Sequence, residues 1–287
     1  MKRGNSMTLL LSDIDHTLFN DALKISPRNL EAINSWTKNP QNAFYLCSGR
    51  NLDSLLNIKK KYNLNCNLIA LNGALITDNK NNVIQSFPFK SSSIQPLIDF
   101  CEQHKLIYII YTEKSTFARF YLLSMVRLYQ LAHSKSNQLK KIIYFMGQYY
   151  RSFYSRHTHL YHSFNPENNT QILKFEMFSS KPQLLKKAMQ IAGTGLACTQ
   201  SSPRNLEVTS KEATKGNALN FVKNYTHQKS TVAIGDGQND ISMFDVADYS
   251  IAMQNASQTV KNHADFITND NNHDGFANGI NHFLKTN

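Results

Sequence analysis

The fold is decided by residues 8–18, TLLLSDIDHTL, where a short apolar run ends in a pair of carboxylates. A continuous apolar run of this length is typical of a strand that is buried on both faces, as in parallel sheets. In open α/β sheets, ligands bind beyond the carboxyl ends of the strands. The sequence therefore predicts that Asp13 and Asp15 lie at a ligand-binding edge of a sheet.

Three more apolar runs end in the same kind of polar turn, at Ala43–Cys47, Asn67–Leu71 and Thr231–Ile234. Helical patterns separate the runs. One of them begins where Ser26 can cap a helix whose first residue is Pro27. Alternating strands and helices predict an α/β fold with a doubly wound parallel sheet.

This core is predicted in two pieces, residues 1–83 and 205–287. Residues 84–204 lack the regular alternation. They mix strand-like runs, such as 106–112, with helical ones, such as 182–191. We expect them to form a separate α+β domain that is inserted between the two pieces of the core.

Composition excludes several classes of protein. The chain has 287 residues, of which 41% are hydrophobic and 18% charged, so it is neither wholly disordered nor collagen-like. No apolar run reaches the roughly 18 residues of a membrane span, and the run at 8–12 is too short for the core of a signal peptide. A formal charge of +11 favours anionic partners. The charge comes in short clusters, so we do not expect nucleic-acid binding from charge alone.

The cysteines indicate neither a zinc site nor a dense disulfide framework, because Cys47, Cys66, Cys101 and Cys198 form no CxxC pair. Four reduced cysteines are usual in a reducing compartment, so we expect a cytoplasmic protein.

One segment of the insert, residues 121–164, interleaves Tyr and Phe with Lys and Arg. Such a surface could hold single-stranded nucleic acid by stacking and charge. The aromatic side chains could instead form the insert's own core, with the charged ones facing solvent, and we favour this second interpretation.

Two further motifs in the sequence are suited to binding an anion. Ser48, Gly49 and Arg50 follow the second predicted strand, where a hydroxyl and free backbone N–H groups can hold a phosphate oxygen. Lys215 stands at the predicted start of a helix, where the helix dipole disfavours a cation. An ammonium in that position indicates an anion nearby.

The motif IGDGQND, residues 234–240, is suited to a metal. Asp236 and Asp240 lie four residues apart around glycine, after an apolar strand. Mg²⁺ prefers one or two carboxylates together with waters and substrate phosphate. In the first motif, the two neighbouring carboxylates could divide the work of nucleophile and general acid.

The four motifs, in this order and with the insert between the second and third, resemble the haloacid dehalogenase superfamily, in its Cof-like branch of sugar-phosphate phosphatases. The resemblance covers residues 8–80 and 205–287. It extends to LNGA at 71–74, AMQNA at 252–256 and DGFA at 274–277. It implies a Rossmann-like core and identifies the insert as a cap that closes over the site and chooses the substrate.

The resemblance also implies catalytic roles. Asp13 would be the nucleophile that forms an aspartyl-phosphate, and Asp15 would be the acid for the leaving alcohol and then the base for water. Ser48 would hold the phosphoryl oxygens, and Lys215 would neutralise their charge and orient Asp13.

The remaining motif residues would bind phosphate or metal. Gly49, Arg50 and Asn239 would lie at the phosphate. The residues at the Mg²⁺ ion would be Asp13, Asp15 through its backbone carbonyl, Asp236, and Asp240 in support of the metal or of Lys215.

The function that we expect is Mg²⁺-dependent hydrolysis of a small phosphorylated metabolite. A phosphohexomutase of the same superfamily is one alternative. A catalytically idle binding protein, whose cap contacts nucleic acid or membrane, is another. The chain departs from the family at His16, where glycine is common, so this side chain could narrow the pocket or touch the leaving group.

Overall fold

The computed structural model describes residues 7–119, 158–160, 171–200 and 203–286. The chain divides into two compact units. The first consists of Met1–Ser86 with Glu212–Asn287, and the second is Phe87–Lys211, which is inserted between the two pieces of the first. Apart from residues 158–160, the aromatic and basic segment 121–164 lies outside the described residues.

An eight-stranded sheet forms the centre of the first unit, in the order β16-β15-β14-β1-β2-β3-β4-β5. Neighbours from β16 to β3 are parallel, and β4 and β5 join antiparallel at one edge. The strands are β1 (Thr8–Ser12), β2 (Ala43–Cys47), β3 (Asn67–Ala70), β4 (Leu75–Thr77), β5 (Val83–Ser86), β14 (Ser230–Gly235), β15 (Tyr249–Ala252) and β16 (Phe266–Ile267).

Several helices of the first unit begin directly after a residue whose side chain accepts a backbone N–H of the first turn. The Ser26 hydroxyl accepts the backbone N–H of Asn29 at 3.1 Å, which confirms the predicted helix start. Thr214 caps a later helix in the same way. The helices are α1 (Pro27–Thr37), α2 (Leu52–Tyr62), α5 (Lys215–Tyr225), α6 (Ile241–Phe244), α7 (Gln258–Lys261) and α8 (Gly275–Thr286).

The strand β1 lies in the middle of the parallel part of the sheet, and Leu9, Leu10 and Leu11 are fully buried. This burial on both faces is what the continuous apolar run predicts. From β1 the chain builds β2 and β3 on one side, and after the insert it builds β14 on the other. The strand order therefore reverses between β1 and β14, which is where open α/β sheets bind ligands. The predicted fold class is confirmed.

The second unit has its own α+β architecture. Its six-stranded sheet has the order β12-β13-β11-β7-β8-β9, antiparallel except between β8 and β9, and a two-stranded sheet pairs β10 with β6. The elements are β6 (Phe89–Lys90), α3 (Gln95–Gln103), β7 (Ile107–Tyr111), β8 (Thr116–Arg119), β9 (Thr158–Leu160), β10 (Gln171–Ile172), β11 (Lys174–Phe178), α4 (Pro182–Ala192), β12 (Ala197–Thr199) and β13 (Asn205–Thr209).

The core of the second unit follows the period of two that is expected of a strand. Tyr108 and Ile110 of β7 belong to one buried cluster with Phe175 and Met177 of β11. Leu185 of α4 belongs to the same cluster. The unit thus has a hydrophobic core of its own.

The unit boundaries differ from the predicted ones. The sequence analysis placed residues 205–211 with the core, but β13 pairs with β11 and β12 in the sheet of the second unit. The boundaries fall after Ser86 and after Lys211. A short apolar run such as 205–209 shows that a strand exists, but not which sheet it joins, because its pairing partners are distant in sequence.

Two findings bear on the cellular setting. Cys47, Cys66 and Cys101 are buried and Cys198 is half-buried, and all four are free thiols. In the described part of the chain, no helix is both long and apolar enough to cross a bilayer.

We expect Gly73→Ala to destabilise the first unit by about 2–4 kcal/mol, because two effects add. Gly73 has φ +105°, and a Cβ there would lie 2.3 Å from the backbone oxygen of Thr214. Urea unfolding followed by the fluorescence of Trp36, the chain's single and buried tryptophan, measures the loss. Asn63→Ala is the matched control, because Asn63 also has positive φ but already carries a Cβ. Equal losses in the two variants would contradict the close approach.

Candidate active site

The site lies at the carboxyl ends of the two central strands. Asp13 follows β1, and Asp236 follows β14. The strands pair in parallel with Ser12 opposite Ile234, and the Asp13 N–H donates to the Ile234 carbonyl at 2.9 Å. This register brings the first and fourth motifs of the sequence to one edge of the sheet.

Lys215 occupies the middle of the site. It is the first residue of α5 and is 1% exposed, and its Nζ lies 2.6 Å from Asp13 Oδ1 and 2.6 Å from Asp240 Oδ1. Burial alone would lower the pKa of Lys215, but the charges of the two carboxylates outweigh it and hold the pKa above its ordinary value. The anion that the sequence predicted near Lys215 is present as two carboxylates of the protein itself.

The Asp240 side chain holds the loop to which it belongs. Its Oδ2 accepts the backbone N–H groups of Asp236 at 2.9 Å and Gly237 at 2.8 Å, while its Oδ1 accepts Lys215. The side chain is fully buried. Both oxygens of Asp240 thus accept hydrogen bonds from Lys215 and from the loop, and its expected support of the metal stays a prediction.

Asp13 and Asp236 each keep one carboxylate oxygen available. Asp13 Oδ1 accepts from Lys215, and Asp236 Oδ1 accepts the Thr17 hydroxyl at 2.7 Å. The second oxygen of each accepts no hydrogen bond from any residue in the described ranges. Ligand oxygens of these two residues and of Asp240 lie within 4.8 Å of one another.

The charge balance of the cluster fits a hard cation. Three carboxylates share one ammonium. Burial raises the pKa of Asp13 to about 8 although Lys215 opposes it, and burial raises the pKa of Asp236 to about 6. Both acids are therefore difficult to ionise unless further positive charge lies beside them. Mg²⁺ or a similar ion would supply the missing positive charge, and oxygen ligands are those it prefers.

Asp15 and Arg50 form a two-pronged ion pair. Arg50 Nε donates to Asp15 Oδ2 at 2.7 Å, and Nη2 donates to Oδ1 at 2.6 Å. The hydrogen bond to Asp15 is the main cause that raises the pKa of Arg50. The sequence suggested that Arg50 contacts phosphate, whereas the structure places its guanidinium on the second carboxylate of the first motif. The Asp15 carboxylate is likewise engaged by Arg50, and the metal contact expected of the Asp15 backbone carbonyl stays a prediction.

Asn72 joins two predicted phosphate-binding loops, and the sequence analysis assigned it no role. Its backbone N–H donates to the Ser48 carbonyl at 3.0 Å, and its Oδ1 accepts Asn239 Nδ2 at 2.9 Å. Asn72 has φ 59°, a conformation that Asn tolerates better than most residues. The signal was the Asn-Gly pair at 72–73, which marks a tight turn. Ser48 itself is 2% exposed, with the backbone N–H of Arg50 at 3.3 Å from its hydroxyl.

His16 adopts φ 60°, ψ 8° between the acid of the first motif and Thr17. Its carbonyl accepts Asn255 Nδ2 at 2.9 Å, and its imidazole reaches a polar pocket beside Asp236. Glycine would adopt this conformation without strain, so the side chain is held here at a conformational cost.

Comparison with known proteins gives the same family as the motifs. Residues 10–280 match the model of a family described as haloacid dehalogenase-like hydrolase. The chain is 24% identical over 289 residues to the phosphatase YwpJ of Bacillus subtilis, covering 97% of this chain and 100% of that protein. It is 26% identical to the 5-amino-6-(5-phospho-D-ribitylamino)uracil phosphatase YcsE of the same organism, covering 96% of this chain and 95% of that protein.

Solved structures share the fold. A haloacid dehalogenase-like hydrolase from B. subtilis superposes with a TM-score of 0.80 at 22% identity, covering 96% of this chain and 99% of the other. The subclass IIB sugar phosphatase BT4131 superposes with a TM-score of 0.74, also at 22% identity, with the same coverage.

We expect Lys215→Met to cost about 3–5 kcal/mol in the free energy of unfolding, because it leaves two buried carboxylates without their cation. Trp36 fluorescence in urea at pH 8, without added metal, measures it. Lys223→Met is the matched control: its partner Asp248 is about half exposed, so the loss there is below about 1 kcal/mol. A loss for Lys215→Met as small as for the control would show that the buried ion pair does not stabilise the unit.

Proposed function

Because the chain belongs to the haloacid dehalogenase-like hydrolase family, we propose that it is a phosphatase, which hydrolyses a small phosphorylated metabolite through a phosphorylated Asp13. The observation that carries the proposal is the buried cluster in which Lys215 lies 2.6 Å from both Asp13 and Asp240, with Asp236 beside them. Two relatives that match almost the whole chain are named phosphatases, and this supports the reaction class.

In the first half of the reaction, one carboxylate oxygen of Asp13 attacks the phosphorus of the substrate, and the other oxygen is left for the cation. A P–O bond to the enzyme forms as the P–O bond to the leaving alcohol breaks. Lys215 keeps Asp13 in position and places positive charge beside the phosphoryl group. A carboxylate cannot approach a phosphate dianion without such charge.

In the second half, water attacks the aspartyl-phosphate and releases inorganic phosphate, which restores Asp13. Asp15 serves both halves: it donates a proton to the leaving oxygen, then accepts one from water. Its carboxylate oxygens accept Arg50 Nε and Nη2, which hold the side chain in place. For the first half, Asp15 must carry a proton and give up at least one bond to Arg50.

In this proposal, Ser48 and Asn239 also bind the phosphoryl oxygens. Ser48 directly follows β2, and Asn239 is held against the same loop through Asn72. Backbone N–H groups after a strand are suited to bind phosphate oxygens.

Mg²⁺ fits the two available oxygens of Asp13 and Asp236, and when bound it supplies positive charge that stabilises the transferring phosphoryl group. Its charge would also offset the burial that makes both acids difficult to ionise.

The second unit is proposed to be the substrate-selecting cap. Residues 87–211 contain 16 Lys and Arg against six Asp and Glu, whereas the rest of the chain contains 15 against 14. Almost all of the net charge of +11 thus belongs to the insert. A basic unit raises the local concentration of phosphorylated molecules. The free thiols fit a cytoplasmic setting, where such metabolites occur.

We expect Asp13→Asn to lower phosphate release at least about a thousandfold, since an amide cannot replace a covalent nucleophile. The assay measures inorganic phosphate and, by chromatography, any isomerised phosphosugar, which would indicate a mutase. Asp245→Asn, at an exposed carboxylate paired with His263, is the control and should keep full activity. Residual activity within about tenfold of wild type, in a folded Asp13→Asn protein, would remove Asp13 from the role of nucleophile.

We expect the affinity for Mg²⁺ to weaken at least about tenfold between pH 8.5 and pH 5.5. The raised pKa values mean that protons occupy Asp13 and Asp236 at the lower pH in the metal-free protein, and a cation must displace them. Calorimetric titration at several pH values, in buffers of different ionisation enthalpy, measures both affinity and proton release. Asp236→Asn should abolish binding, whereas Asp270→Asn, at a nearby carboxylate outside the cluster, should not. Binding that does not change with pH would contradict the assignment.

A further inference from the structure

A pocket of about 500 Å³ opens beside Asp236 within the first unit. One wall is the turn after the first motif, with His16 and Asp21, and the opposite wall includes Gln254, Asn255 and their neighbours. Every lining side chain is polar or charged. Because Asp236 belongs to both the pocket and the acidic cluster, the pocket adjoins the cluster.

The walls of the pocket are held rigidly. Asp21 accepts Asn271 Nδ2 at 3.0 Å and Asn272 Nδ2 at 2.9 Å, which ties the turn after the first motif to the loop at 270–272. Asn255 uses both ends of its amide, on the His16 carbonyl at 2.9 Å and on the Asn271 N–H at 3.1 Å. These groups build the pocket and have little capacity left for a ligand.

His16 and Gln254 differ from these neighbours. The Gln254 side chain forms no hydrogen bond with any residue that the structure describes, and it is exposed. The His16 imidazole is 65% exposed and comes no closer to Asp21 than 3.7 Å, which exceeds hydrogen-bond distance. Two side chains at the pocket therefore retain the capacity to donate and accept hydrogen bonds.

We infer that His16 and Gln254 bind hydroxyl groups of the leaving alcohol and so select substrates that are phosphate esters of polyols. The inference rests on the proposed function. His16 directly follows Asp15, the proposed proton donor to the leaving oxygen, and it lines the pocket beside Asp236. The carboxylates of Asp21 and Asp236 would repel a second phosphate in the pocket, whereas hydroxyl groups can donate to them.

Part of the substrate selection thus lies within the first unit. The family resemblance assigned the choice of substrate to the insert, whereas the departure at His16 already allowed a contact with the leaving group. His16 bears on that choice, since it occupies a position in the first motif and also lines the pocket.

The test compares two esters of equal carbon number, ribitol 5-phosphate and n-pentyl phosphate, which differ in their hydroxyl groups. We expect His16→Gly and Gln254→Ala each to lower kcat/KM for ribitol 5-phosphate about five- to tenfold, mainly through KM, because each removes one hydrogen bond. The values for pentyl phosphate should stay within about twofold. His227→Gly is the matched control, since His227 is also an exposed histidine at positive φ and lies outside the pocket.

Three outcomes would overturn the inference. Equal losses on the two esters would show that His16 acts on the catalytic turn and not on the alcohol. No loss on either ester would show that the pocket does not receive the leaving group. A loss in His227→Gly as large as in His16→Gly would point to the stability of the protein. Failure of the proposed function looks different, because the wild-type protein would then release phosphate from neither ester with Mg²⁺ present.

Discussion

The buried ammonium of Lys215 is the constraint on which the rest of the first unit depends. A cation that is 1% exposed must keep its carboxylate partners, so the ends of β1 and β14 and the start of α5 have to meet. Three glycines make that meeting possible. A Cβ would lie 2.3 Å from the Thr214 oxygen at Gly73, 2.1 Å from the Ser242 oxygen at Gly216, and 2.4 Å from the Asp240 carboxylate at Gly235. The same geometry that stabilises the cation brings the reactive groups together.

The sequence predicts those parts of the structure that depend on local pattern. The run at 8–12 could be recognised as a buried strand because all its side chains are apolar, and Ser26 with Pro27 could be recognised as a helix start because capping is local. Which distant residues or strands pair with one another could not be predicted in this way. Nothing in the motif at 48–50 indicates that Arg50 turns to Asp15, and nothing at 205–209 shows which sheet the strand joins. Both depend on contacts between residues that are distant in the chain.

The two units differ in net charge, and this difference suits them to different parts of the proposed function. The first unit is close to electrical balance, and three of its carboxylates, Asp13, Asp236 and Asp240, lie together at the site, which suits a metal. The insert carries a strong positive excess, which suits the attraction of phosphorylated molecules. If His16 and Gln254 bind the alcohol, the first unit also takes part in substrate recognition. The insert would then act more by attracting phosphorylated molecules and by closing than by recognising the substrate alone.

The central claim is that Asp13 carries the phosphoryl group during turnover, and a rapid acid quench tests it most directly. The protein is mixed with a phosphate ester labelled with ³²P and with Mg²⁺, quenched within milliseconds, digested and mapped by mass spectrometry. The account predicts one labelled peptide, with the phosphate on Asp13 and lability to hydroxylamine that is typical of an acyl phosphate. A label on another residue, or turnover in the same experiment with no labelled peptide, would contradict it.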